Sequence, residues 1–114
     1  MVKIKDASVL RGVMVLGFAP KLIDIACWVY DTFDDLVITS GFRDGDTGVH
    51  GAVPCRGLDI RSWIYKDAQV VVDAINARWV YDPTRPEKMC AILHDIGQGN
   101  HIHLQSHPGT KLKP

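Results

Sequence analysis

The sequence predicts an α+β domain in which a mostly antiparallel sheet carries two main helices. Three observations lead there. Near the end of the chain, Asn100-His101-Ile102-His103-Leu104-Gln105 alternates apolar and polar residues, the period-two pattern of a half-buried strand. Two segments repeat apolar residues at steps of three and four, as helices packed on a sheet do. Between the first helix and the second, short β-branched runs bracket a long stretch rich in Gly, Asp and Pro.

The elements follow in order. Pro20 suits the first turn of a helix, where its missing N–H costs nothing. After it Leu22, Ile25, Ala26, Val29, Tyr30 and Phe33 form one stripe, giving a helix over 20–34 that Asp34-Asp35 ends. Leu36-Val37-Ile38-Thr39 reads as a strand. Residues 40–57 have no periodicity and form a loop of a length usually kept for function. Leu58 to Ile60 re-enters the sheet. Lys66 to Arg78 is the second helix, with Val70, Val71, Ala74, Ile75 and Arg78 on one side and Asp67 near its positive end. Pro83 and Pro86 punctuate a linker, Lys88 to Leu93 is a strand, and Gly97-Gln98-Gly99-Asn100 turns it back into the His-x-His strand. One domain spans 1–107, and the polar, basic residues 108–114 form a loose tail.

Composition narrows the function. A chain of 114 residues, 46% hydrophobic and 23% charged, is an ordinary globular domain. Thirteen basic residues balance thirteen acidic ones, so the positive excess that neutralises nucleic-acid phosphates is missing. No stretch approaches the ~20 apolar residues of a membrane span, nor does the start carry a signal-peptide core. Synthesis in a reducing cytoplasm is the expectation, and it fits the cysteines. Cys27, Cys55 and Cys90 form no Cys-x-x-Cys pair, and Cys27 and Cys90 fall in apolar segments. Cys55 is a bystander in the long loop, or else a nucleophile or ligand.

In the His-x-His strand, Ile102 and Leu104 face a core while His101, His103 and Gln105 share the other face. Same-face neighbours stand roughly 6.5–7 Å apart. This suits a metal site in which one imidazole binds and the other works beside it; the alternative is an exposed polar face that happens to hold two histidines.

Taken together, Ser40-Gly41-Phe42-Arg43, the lone His50, Gly57-Leu58-Asp59-Ile60 and His101-Ile102-His103 resemble the D-alanyl-D-alanine carboxypeptidase and L-alanyl-D-glutamate peptidase family of zinc enzymes. That family belongs to a wider group with lysostaphin-type peptidases and the hedgehog signalling domain, and its small phage-encoded members are the most similar. The resemblance implies the same fold, a Zn2+ cofactor and a peptidoglycan peptide as substrate. It implies His50, Asp59 and His103 as metal ligands, and Arg43 as the group that holds the substrate's carboxylate. Three protein ligands and an open position for water are the usual catalytic zinc arrangement, which brings water's pKa towards neutrality.

Three departures stand out. Eight residues separate His50 from Asp59 where the family usually has six, Gly48 stands where Ser is common, and Asn100 occupies the position of the usual general base. An amide cannot take a proton from water. His101 is the expected catalytic replacement, as in lysostaphin-type enzymes, with Asp95 the other nearby acid. His94 and His107 read as turn and tail residues. The expectation is a zinc peptidase of phage or prophage origin, made in the host cytoplasm and acting on the wall after release. The alternatives are a non-catalytic metal-binding module and a virion component.

Overall fold

A computed structural model describes residues 1–14, 17–95 and 100–114. Its elements in chain order are β1 (Val2–Ile4), α1 (Ala7–Met14), α2 (Pro20–Phe33), β2 (Leu36–Ser40), a 3-10 turn (Val49–Gly51), β3 (Gly57–Arg61), α3 (Ala68–Arg78), β4 (Trp79–Val80), β5 (Ala91–Asp95), β6 (Asn100–Gln105) and β7 (Lys111–Leu112). The main sheet runs β1-β2-β3-β6-β5, and every pairing is antiparallel except β1 with β2. The fold is therefore α+β with a mostly antiparallel sheet. Its helices number three among the described residues rather than the two expected. The turn expected over 97–100 falls largely on residues outside those described.

Local chemistry explains where the helices begin and end. Asp6 accepts a hydrogen bond from the Val9 N–H at 3.0 Å, satisfying a donor that a helix start leaves free and so launching α1. Helix α2 has proline in its first turn and stops at Asp34, whose φ of 70° is left-handed while its N–H donates to the Tyr30 carbonyl. Helix α3 starts after Asp67, because that carboxylate caps the helix by accepting from the Gln69 N–H at 3.0 Å. Its buried residues are Val71, Val72 and Ile75, while Val70 faces solvent, so the core stripe is turned from the expected one.

Strand alternation then divides the sheet. Leu58 and Ile60 of β3 and Ile102 and Leu104 of β6 are buried against Leu22, Ile25 and Val29 of α2 and Val71 and Ile75 of α3. Burying each such side chain contributes about 1.5–3 kcal/mol, so this single core accounts for most of the driving force. The opposite face carries Asp59 and Arg61 on β3 and His101, His103 and Gln105 on β6. Helices α2 and α3 pack on the other face.

The segment between α3 and β5 is ordered by Asp82. Its carboxylate accepts from the backbone N–H and hydroxyl of Thr84 and from Arg85 Nε. Those bonds pull the Asp82 carboxyl down to about 2. Strand β5 begins at Ala91, after exposed Lys88 and Met89, rather than at Lys88. At the C-terminal end, where a loose tail is expected, Lys111 and Leu112 pair with Val80 and Trp79, and the buried Thr110 hydroxyl donates to the Tyr81 carbonyl. Among the described residues, no helix is long and apolar enough to cross a membrane.

Candidate metal centre

Strand register sets out the site. On the open face Asp59 stands opposite His103, and His103 opposite Ile92; one step along, Arg61 stands opposite His101, and His101 opposite His94. Directly opposed residues hold their Cβ atoms about 4.5–5.5 Å apart. Carboxylate and imidazoles from three strands thus share one patch of sheet.

The long loop adds His50. The Val49–Gly51 turn buries that ring, and the loop is tied down by Arg43 N–H donating to the His50 carbonyl at 2.8 Å and Arg56 N–H to the Val49 carbonyl at 3.1 Å. Gly57 makes the approach possible. A Cβ there would lie 2.7 Å from Val49 Cγ2 and 2.9 Å from the His50 nitrogen, closer than real side chains come. Between Ile38 and Ser40 the β2–β3 register shifts, and the chain leaves the sheet there towards Arg43.

His50, Asp59 and His103 are all buried, and together they form a group that can hold a metal ion. His50 Nε2 lies 3.2 Å from Asp59 Oδ1 and 3.3 Å from His103 Nδ1, and His103 Nδ1 lies 3.0 Å from the same carboxylate oxygen. The outer nitrogens of the two rings are already committed. His50 Nδ1–H donates to the Gly41 carbonyl at 2.8 Å. His103 Nε2–H donates to Gln105 Oε1 at 3.0 Å, and the Gln105 amide is held in turn by donating to the Met89 carbonyl at 2.7 Å. These partners orient the rings, so an inner nitrogen that carries no proton turns its lone pair towards the other donors. Two imidazole lone pairs and a carboxylate oxygen then converge, which is unfavourable unless a cation lies among them. Outer partners of this kind are how metal-binding histidines are ordinarily oriented.

Asp59 is ionised. Burial pushes its carboxyl up, but the closeness of His103 and His50 outweighs that and holds it well below the usual carboxylate range. Arg43 reinforces this state. Its Nη2 donates to Asp59 Oδ2 at 2.7 Å, its Nε to Ser40 Oγ at 3.0 Å, and its Nη1 lies 3.7 Å from Asp46. Each of its three nitrogens therefore lies against a protein oxygen.

His101 stands beside the group, its Nε2 3.7 Å from Asp59 Oδ1. Burial lowers its pKa, and His94, His103 and Arg43 add to that against the opposing pull of Asp59, so the ring is neutral near pH 7. Asn100 is exposed on the same strand, and its backbone carbonyl accepts from the Ser62 hydroxyl at 2.7 Å. The backbone of Asp95 pairs with Asn100, while its side chain lies outside the described residues.

Two residues join the site without having been expected there. His94 is a strand residue, not a turn residue: its ring stacks on His103 at 5.5 Å and 14°, and meets His101 edge-on at 5.5 Å. Ala91-Ile92-Leu93-His94 shows no apolar–polar alternation, so only the pairing of His94 with His101 places it on this face. Gln105, on the face that the alternation predicts, orients the His103 ring. Cys55 stays apart, its thiol donating to the Gly57 carbonyl at 3.3 Å, with burial pushing its pKa up. A buried thiol of that kind is neither ligand nor nucleophile. His107 pairs away from the site, 3.7 Å from Asp82.

Comparison with models of known protein families, with curated proteins and with solved structures finds no match to this chain.

Proposed function

We propose that this chain is a zinc-dependent peptidase that hydrolyses peptide bonds in peptidoglycan stem peptides. In this proposal it has the hedgehog-like peptidase fold of the D-alanyl-D-alanine carboxypeptidase and L-alanyl-D-glutamate peptidase family and is of phage or prophage origin. The observation that carries it is the convergence of His50 Nε2, Asp59 Oδ1 and His103 Nδ1 with their outer atoms already bonded. Tetrahedral zinc bonds of ~2.0–2.1 Å separate neighbouring donors by roughly 3.3 Å. The separations of 3.0, 3.2 and 3.3 Å fit one face of such a tetrahedron. Zinc bound there supplies Lewis acidity for the scissile carbonyl and brings water's pKa towards neutrality.

The chain's own residues supply the rest. His101 Nε2, neutral near pH 7, takes the proton of the attacking water and returns it to the leaving amine. Its position beside Asp59, rather than among the ligands, suits that task. Arg43 holds the second oxygen of Asp59, so that Oδ1 alone is presented to the ion. His50, Asp59 and His103 are buried, and the His94 ring stacks on His103.

A second reading, a metal-holding module that does not hydrolyse, is favoured by one observation: the position of the usual base carries an exposed amide, Asn100. Purified peptidoglycan incubated with zinc-loaded protein, followed by mass analysis of released fragments, separates the two. Peptidase action predicts fragments that differ by hydrolysis of one stem-peptide bond and that vanish with chelator. Intact stem peptides after prolonged incubation, with zinc bound, would establish the module instead.

A further inference from the structure

We propose that the carboxylate of the substrate is gripped by Arg61, seated on the indole of Trp63, and not by Arg43. The proposal rests on the peptidase reading for its ligand and adds the residue that sets its specificity. Arg61 occupies the same strand face as Asp59, two residues further on, and stands directly opposite His101. The Arg61 backbone therefore stands two residues, roughly 6.5–7 Å, along the strand from Asp59, on the face that carries the converging donors.

The two arginines differ in what surrounds them. Arg43 already faces Asp59, Ser40 and Asp46 with its three nitrogens. Turning it towards a ligand would release the buried Asp59 carboxylate from its counter-ion, a costly exchange. Arg61 makes no ion pair among the described residues, and its contact is with a ring: the guanidinium carbon lies 4.9 Å from the Trp63 centroid. Stacking engages the flat face of a guanidinium and leaves its N–H edge free for a two-pronged carboxylate bond. Trp63 is 73% exposed, so the platform and the edge above it are open to solvent. Other guanidiniums are otherwise engaged or distant from this face: Arg56 donates to the Ser106 carbonyl, Arg85 to Asp82, and Arg78 lies over Trp28 and Trp79. A planar cation held open beside the centre is a specificity device for an acidic substrate.

The test uses two synthetic stem peptides, one with free carboxylates and one with every carboxylate converted to carboxamide. Each is titrated calorimetrically into zinc-loaded wild type, Arg61→Gln, Arg61→Lys, Trp63→Ala and Arg43→Gln, and the recovered peptide is analysed by mass to record cleavage separately. Wild type is expected to bind the free acid about tenfold or more tighter than the amide, the scale of a charged hydrogen-bond pair. Arg61→Gln should erase that preference while leaving amide binding unchanged. Arg61→Lys should restore only part of it, and Trp63→Ala should weaken it. No preference in the wild type, or a preference that survives Arg61→Gln, would overturn the proposal. Acid preference without cleavage would leave Arg61 as the clamp and remove the peptidase activity; cleavage without acid preference would do the reverse.

Discussion

His101 stands next to the converging donors without being one of them, and its replacement separates chemistry from binding. His101→Ala should keep the metal and the fold while hydrolysis falls by roughly 10²–10⁴-fold, the usual scale of general acid–base or oxyanion assistance. Asn100→Asp in that background should recover part of the rate by returning a carboxylate to the strand. Metal loss in His101→Ala, measured by elemental analysis, would make it a ligand. Arg43 behaves differently. Because its guanidinium holds Asp59 Oδ2 at 2.7 Å, Arg43→Gln should weaken metal affinity by about 10–100-fold, the cost of losing an outer partner of a ligand. Unchanged affinity in a competition titration would free Arg43 for a role towards substrate. The residues of the group that can hold a metal, His50, Asp59 and His103, are reached in the sequence through the resemblance their motifs carry together, since each alone reads equally as a loop histidine or a strand-end charge. Their outer partners are not legible there. The Gly41 carbonyl accepts from His50 and the Met89 carbonyl from Gln105; both belong to the backbone, and no residue type announces them.

At the scale of elements, the loop and β3 are locked together through one glycine. Gly57→Ala would drive a methyl group into Val49 and the His50 backbone, so it should displace His50 and lower stability by about 1–3 kcal/mol. The combined signature is a lower melting temperature and weaker metal binding in one variant. A folded Gly57→Ala with full metal affinity would show that the loop yields without moving the ligand. Strands β2, β3 and β6 and helices α2 and α3 were visible from period and β-branching. Helix α1 was missed although Asp6 announces it, because glycine and arginine interrupt its apolar residues. Strands β4 and β7 have two residues each, too few to show any period, and only their pairing defines them. The sequence starts β5 at Lys88 because nothing in it separates Lys88 and Met89 from the apolar run, whereas both lie exposed before the strand begins at Ala91.

For the molecule as a whole, stability couples to pH and to the ion. Asp82 is held at about 2, below the ordinary value of 3.8. A carboxyl depressed by folding adds stability that is complete above its unfolded pKa and is lost as pH falls through the folded one. Its contribution should therefore disappear between about pH 4 and pH 2. Asp82→Asn should flatten the pH dependence of the melting temperature in that window, whereas an unchanged slope would place the acid sensitivity elsewhere. The ion acts on the same equilibrium, since a ligand present at 100 times its Kd stabilises the folded state by about 2.7 kcal/mol. What the whole account depends on is the cation between His50, Asp59 and His103, and a zinc titration with elemental analysis of the dialysed protein tests it most directly. The wild type should retain about one zinc per chain and melt at a higher temperature with it, and His103→Ala should retain almost none, since two remaining donors hold zinc poorly. Wild-type protein that retains no zinc, or His103→Ala that retains as much as the wild type, would contradict the account.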